Sequence, residues 1–162
     1  MWPAVRNLGL QRLVAAHSTC GYAFLEDVLV KGIGIDLVSL PEFRRICDDW
    51  GAPGQADADI ANAFVSRTFT AAELAQAAGR HDPCEFLAGR FACKEAVFKA
   101  VAPLTDEGFD LRLVETLDAP TGQPQVSLVG ALAPVLSEAG VTSVLVSITN
   151  EEQYVLAQAL AQ

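Results

Sequence analysis

Two of the chain's three lysines stand in one short stretch, Phe91-Ala92-Cys93-Lys94-Glu95-Ala96-Val97-Phe98-Lys99, with a glutamate between them. Leu87, Phe91, Phe98 and Val101 recur at helical spacing, and the stripe they draw passes through position 94 or 95. A charge on the inner side of a helix is costly unless it is paired or meets a ligand. The stretch therefore carries a polar site where a plain core helix would carry Leu. A second carboxylate, Asp36, follows the alternating run Gly32-Ile33-Gly34-Ile35. In a strand, residues 32, 34 and 36 share one face. That face is bare beside an acid, and strand glycines mark close approach of a ligand or of another backbone. Two carboxylates facing one space suit a hard divalent cation such as Mg2+. Plainer uses exist for both. Asp36 can be a turn or cap residue, and Glu95 can pair with Lys99 at i,i+4, worth about 0.3 kcal/mol. No spacing rule links positions 36 and 95. Arg90, Lys94 and Lys99 make the helix cationic, which serves either phosphate binding or a solvated face.

These residues need elements to hold them. The periodicity predicts a strand over 28–38 and a helix started by the capping box Ser39-Leu40-Pro41-Glu42, running to about Asp49. A loop over 51–57 precedes a helix over 59–67. Thr70-Ala71-Ala72-Glu73 opens a short helix ending near Gly79, and Asp82-Pro83-Cys84-Glu85 caps the long helix to Val101. Strands follow over 111–117 and 125–129, joined by a turn at Thr121-Gly122-Gln123-Pro124. A helix over 131–139, a strand through Val144, Val146 and Ile148, a turn at 150–152 and a last strand over 154–160 complete the order. This is α+β, with a small, largely antiparallel sheet packed with helices. Residues 1–27 stand apart as an N-terminal extension with a weakly helical run over 5–16, leaving 28–162 as the main domain.

Just over half of the 162 residues are hydrophobic, enough for a sizeable core. A net charge of -9 argues against a general nucleic-acid binder. Ten of the eleven Lys and Arg residues precede position 100, so an acidic partner would dock on that part. Cys20, Cys47, Cys84 and Cys93 lack metal-ligand spacing and read as buried thiols of a reducing compartment. No run is apolar enough to span a membrane, and the N-terminus lacks a compact signal-peptide pattern. The expectation is a soluble, cytoplasmic protein.

Three segments in order carry a family resemblance. They are Gly32-Ile33-Gly34-Ile35-Asp36; Phe64-x-x-Arg67-x-Phe69-Thr70-x-x-Glu73; and the run from Phe86 to Ala100 that contains Arg90, Lys94, Glu95 and Lys99. Together with Gly122-Gln123-Pro124 and Ser147-Ile148-Thr149 they resemble the 4'-phosphopantetheinyl transferases, closest to the small holo-[acyl-carrier-protein] synthase type. The resemblance implies that the phosphopantetheine arm of coenzyme A moves to a serine of an acyl or peptidyl carrier protein, releasing 3',5'-ADP. It implies Asp36 and Glu95 as ligands of Mg2+, with Lys99 and Lys94 on the pyrophosphate. Arg90, Gly122, Pro124 and Thr149 fall to coenzyme A binding, and Arg44 and Arg45 to carrier-protein docking. It also implies a homotrimer with sites shared between subunits. A non-catalytic module that binds coenzyme A or a carrier protein is the competing expectation.

The chain departs from the family's pattern at three places. Ala100-Val101-Ala102-Pro103 replaces a glycine-rich turn after Lys99. Ser39 stands where many members have an acid, which throws the metal onto Asp36, Glu95 and water. Asn150 replaces a frequent histidine after Ser-Ile-Thr.

Overall fold

The computed structural model describes residues 29–47, 59–104, 110–127 and 130–162. The extension over 1–27 and its expected helix lie outside them, as does the loop over 51–57.

The core is one helix laid on one three-stranded sheet. Strands β1 (Gly32–Ser39), β4 (Val144–Glu151) and β5 (Tyr154–Ala161) form an antiparallel sheet in the order β1-β5-β4. A two-residue turn joins β4 to β5, so Glu151 pairs with Tyr154. Helix α4 (Pro83–Val101) crosses the inner face of this sheet. Its start follows local chemistry: the Asp82 carboxylate accepts the Glu85 N–H at 3.0 Å, and Pro83 occupies the first turn.

The seam between helix and sheet is built of small residues. Ala88, Ala92, Ala96 and Ala100 recur every four positions along α4 and are all buried. Ala157, Ala159 and Ala161 face them from β5, also buried. Gly32 and Gly34 complete the seam on β1. A Cβ at Gly34 would overlap the carbonyl oxygen of Ala96, and one at Gly32 would overlap that of Ala100. The bare face of β1 is therefore filled by the helix backbone rather than by a ligand. The alanine row, more than the stripe through Phe91 and Phe98, is the side that meets the sheet, and α4 is buried around most of its circumference. We expect Gly34→Ala to lower unfolding stability by about 2–3 kcal/mol through overpacking, read from a denaturant melt. A change under about 0.5 kcal/mol would mean the seam is loose.

The remaining elements brace α4. Strand β1 runs straight into α1 (Leu40–Cys47), whose Leu40 N–H is taken by the Gln153 carbonyl at 2.8 Å. Helix α2 (Asp59–Thr68) leads to α3 (Ala71–Ala78), opened by the expected capping box: Thr70 N–H donates to Glu73 Oε2 at 2.9 Å. Phe43, Phe64, Phe69 and Phe91 pack ring on ring between these helices, with centroids 5.7–6.3 Å apart. A hairpin, β2 (Thr116–Asp118) and β3 (Pro124–Val126), forms a second sheet. Residues 111–113 form a 3-10 turn where a strand is expected, because the Asp110 carboxylate accepts the Arg112 N–H and closes the chain locally. The helix expected over 131–139 is α5 (Ala133–Glu138), preceded by a 3-10 turn. Cys47 and Cys93 are buried and Cys84 is half-buried. Among the described residues no helix is long and apolar enough to cross a membrane.

Candidate active site

The close seam brings residues distant in sequence together on the β1 flank of α4. Asp36 stands on the helix-facing side of β1, two residues past Gly34. Lys99, from the last turn of α4, donates to Asp36 Oδ1 at 2.7 Å and to the Ile35 carbonyl at 3.2 Å. The lysine thus reaches the strand carboxylate instead of forming the simple helical pair with Glu95. Glu95 lies one turn earlier, half-buried. Burial raises its carboxyl pKa, and the charge of Asp36 raises it further, opposed by Lys99. Two carboxylates that feel one another, one of them desolvated, form a place where a hard cation is favoured. The donor set is all oxygen, as Mg2+ requires.

On the opposite flank lies a cleft of about 420 Å³, open to solvent. Arg90 and Gly89 of α4 line it, with Asp118 and Gly122 and Pro124 of the hairpin, and Thr149 and Asn150 of β4. Four of the residues picked out in the sequence, Arg90, Gly122, Pro124 and Thr149, therefore share one wall. Gly122 has φ +84°, a conformation that favours glycine, so the tight turn expected at 121–124 is present. Arg90 is 3% exposed, with its guanidinium 4.2 Å from the Phe86 ring centre and paired to Asp118. Its Nε has no acceptor among the described residues. The cleft falls in the size range of small-molecule sites.

The two places face away from each other. Lys99 and Arg90 are nine residues apart, about two and a half helical turns, which puts them on opposite faces of α4. Across the sheet, Asp36 is in register with Ala157 and Ala157 with Ile148. The two flanks are thus separated by about two strand spacings, roughly 10 Å, with the helix over the middle.

Lys94 is corrected by the structure. It is fully buried, and its ammonium pairs with Glu73 Oε2 at 2.9 Å and donates to the carbonyls of Val114 and Leu111. No phosphate can reach it. Glu73, also fully buried, accepts the Thr116 N–H at 2.9 Å through its other oxygen. The pair ties α3, α4 and the approach to β2 together. The charge in the apolar stripe is thus divided between two neighbours: Lys94 is structural and only Glu95 is turned to the flank. Burial lowers the lysine's pKa, and Glu73 opposes that. Lys94→Ala leaves Glu73 charged and alone in the core, so we expect a loss of about 3 kcal/mol in a denaturant melt. A loss below about 1 kcal/mol would show the pair to be dispensable.

Arg44 pairs with Asp82, which anchors α1 to the start of α4. Arg45 is exposed on α1 with no partner among the described residues, next to the 43% exposed Ile46. Sequence reasoning missed Asp118 and Glu85 of the cleft and read Glu73 only as a capping residue. Charge spacing carries no sign of any of these contacts, since each crosses between elements.

Fold and site define a small α+β domain with a carboxylate–lysine centre on one flank of a helix and a nucleotide-sized cleft on the other. The chain belongs to the 4'-phosphopantetheinyl transferase superfamily, whose profile matches residues 32–159. The holo-[acyl-carrier-protein] synthase of Desulforudis audaxviator is 35% identical over 133 residues, covering 82% of this chain and 93% of the relative. The crystal structure of the Neisseria meningitidis holo-[acyl-carrier-protein] synthase superposes with a TM-score of 0.67 at 32% identity, covering 83% of this chain and 99% of that one. A coenzyme A complex from Chronobacterium ammoniagenes gives 0.61 at 27% identity, covering 81% and 96%.

Proposed function

We propose that this protein is a holo-[acyl-carrier-protein] synthase: it moves 4'-phosphopantetheine from coenzyme A to a serine of an apo carrier protein. The observation that carries the reading is the meeting of Asp36, Glu95 and Lys99 on one flank of α4 in a chain of this superfamily. The serine oxygen attacks the phosphorus that bears the pantetheine arm. The bond from that phosphorus to the bridging oxygen breaks, 3',5'-ADP leaves with the electron pair, and the serine proton passes to solvent. Lys99 moves its charge from Asp36 to the pyrophosphate oxygens and orients them for displacement. Asp36 and Glu95 are the residues that would hold Mg2+, which when bound neutralises charge on the pyrophosphate. The nucleotide end of coenzyme A occupies the cleft of Arg90, Gly122, Pro124 and Thr149.

The two flanks of α4 face away from each other, which favours a site that takes its acidic half from one subunit and its cleft from the next. The outer face of the sheet supports such an assembly. Ile33, Ile35 and Leu37 of β1 are 52–58% exposed, and Leu145, Tyr154 and Leu156 continue the apolar face across β4 and β5. A face of this kind marks an interface. Head-to-tail contacts form a ring where the rotation between copies closes, and by the resemblance to the small synthases we assign a cytoplasmic homotrimer. Arg45 on α1 is the docking contact for an acidic carrier protein, steering encounter more than adding affinity.

The test is direct. Purified protein with Mg2+ and coenzyme A is mixed with a broad panel of apo carrier proteins, and intact mass is recorded. Gain of one phosphopantetheine on a carrier is the expected result. Coenzyme A binding without any mass gain across the panel would overturn the enzymatic reading and leave only a binding module.

A further inference from the structure

Five charged side chains line the nucleotide cleft and the groove that continues from it: Arg80, Arg90, Asp82, Glu85 and Asp118. Asp82 is paired with Arg44 of α1, and the other four balance one another. Asp118 joins the two arginines, taking Arg90 on Oδ1 and Arg80 on Oδ2. Its position is fixed from its own backbone. Gln76 Nε2 donates to the Asp118 carbonyl at 3.2 Å, and the Asp118 N–H donates to Gln76 Oε1 at 3.0 Å. Phe86 lies against both guanidinium groups, 4.8 Å from Arg80 and 4.2 Å from Arg90. The second acid, Glu85, accepts from Asn150 at 2.6 Å. Two arginine forks held around one point are the usual receiver of a phosphate monoester. Here that point is taken by a carboxylate of the protein.

We propose that Asp118 sets the ligand specificity of the cleft. It supplies from within the negative charge that Arg80 and Arg90 would otherwise take from the 3'-phosphate of coenzyme A. The site then gains little from that phosphate, and 3'-dephospho-coenzyme A serves as a donor nearly as well, its transfer releasing 5'-AMP in place of 3',5'-ADP. The proposal rests on the reading of the cleft as the nucleotide site. A phosphate would approach Asp118 and Glu85 as well as the arginines, so attraction and repulsion largely cancel. With Asp118 neutral the arginines are released, and charged hydrogen bonds of this type are worth more than about tenfold in affinity.

The experiment titrates the full-length protein with coenzyme A and with 3'-dephospho-coenzyme A by calorimetry, in parallel for the wild type and Asp118→Asn. We expect the two dissociation constants of the wild type to differ by less than about tenfold, and Asp118→Asn to widen the ratio more than about tenfold in favour of coenzyme A. A wild-type preference of tenfold or more for coenzyme A overturns the proposal, as does a variant whose ratio does not move. The wild-type ratio decides even if the variant fails to fold, which a thermal melt reports. If neither ligand binds, the cleft assignment itself falls. If coenzyme A binds and is used while the dephospho form is rejected, only the role of Asp118 falls.

Discussion

Glu95→Gln is expected to lower the rate of phosphopantetheine transfer by about 10³-fold while leaving the fold and the nucleotide cleft intact. The amide has the shape of the carboxylate, so packing against β1 is kept. What is lost is one of two negative charges that face a cation position, and the loss falls on the step in which charge moves onto the leaving group. Asp36 alone does not replace it, because one carboxylate supplies half the negative charge that the cation position has in the native chain. The alternative is a surface pair between Glu95 and Lys99, worth about 0.3 kcal/mol, whose removal changes a rate less than about twofold. The two readings thus differ by more than two orders of magnitude in one measurement. Single-turnover transfer followed by intact mass gives the rate, and calorimetric coenzyme A binding gives the check on the cleft. Activity within about tenfold of wild type would remove Glu95 from the reaction centre.

How much of this was legible in the sequence depends on the kind of contact. Elements set by near neighbours could be read. The Thr70 capping box, the Asp82 cap with Pro83, and the alternation of β1 and β5 all follow from residues within a few positions. The Gly122 turn belongs to the same class. The 3-10 turn at 111–113 was misread because the apolar spacing there fits a strand, while one side-chain bond from Asp110 decides the backbone. Contacts that cross between elements left no local mark. Asp36 and Glu95 could be joined only through a resemblance spanning the chain, since chemistry alone offered an ordinary ion pair. Lys94 and Glu95 show the limit well. Adjacent residues on a helix point about 100° apart, so one can enter the core while its neighbour meets the site. The stripe passes through that interval and does not say which residue goes inward. Glu73 on α3 resolves it, and position 73 announces only a capping box. The glycines of β1 signal close approach of either a ligand or a backbone, and their reading as room for a metal and phosphates is corrected: the approaching group is the backbone of α4.

The shared site makes the most demanding prediction. Ile35→Asp combined with Leu37→Asp places two charges on the outer face of β1, where both native side chains are more than half exposed in the single subunit. A lone subunit tolerates them, because surface changes cost little. An interface that buries them does not, so the variant should sediment as a monomer. Transfer should then be lost, although Asp36, Glu95, Lys99 and the cleft are all unaltered. A monomer with full activity would show that one copy suffices. Complementation separates sharing from mere loss of stability. Glu95→Gln removes the acidic half of the site, and Arg90→Ala removes one of the two arginines that balance Asp118 and Glu85, leaving the cleft negative and repelling coenzyme A; each protein alone should be inactive. When the two are unfolded together, mixed in equal amounts and refolded, each site draws its acidic half from one subunit and its cleft from a neighbour. Both halves are native with probability one half times one half, so about a quarter of the sites recover in a closed ring of randomly mixed subunits. If each site lay within one subunit, every chain would still carry its own defect and no activity would return. Recovery near a quarter of the wild-type rate, against none, therefore reports where the second half of the site comes from.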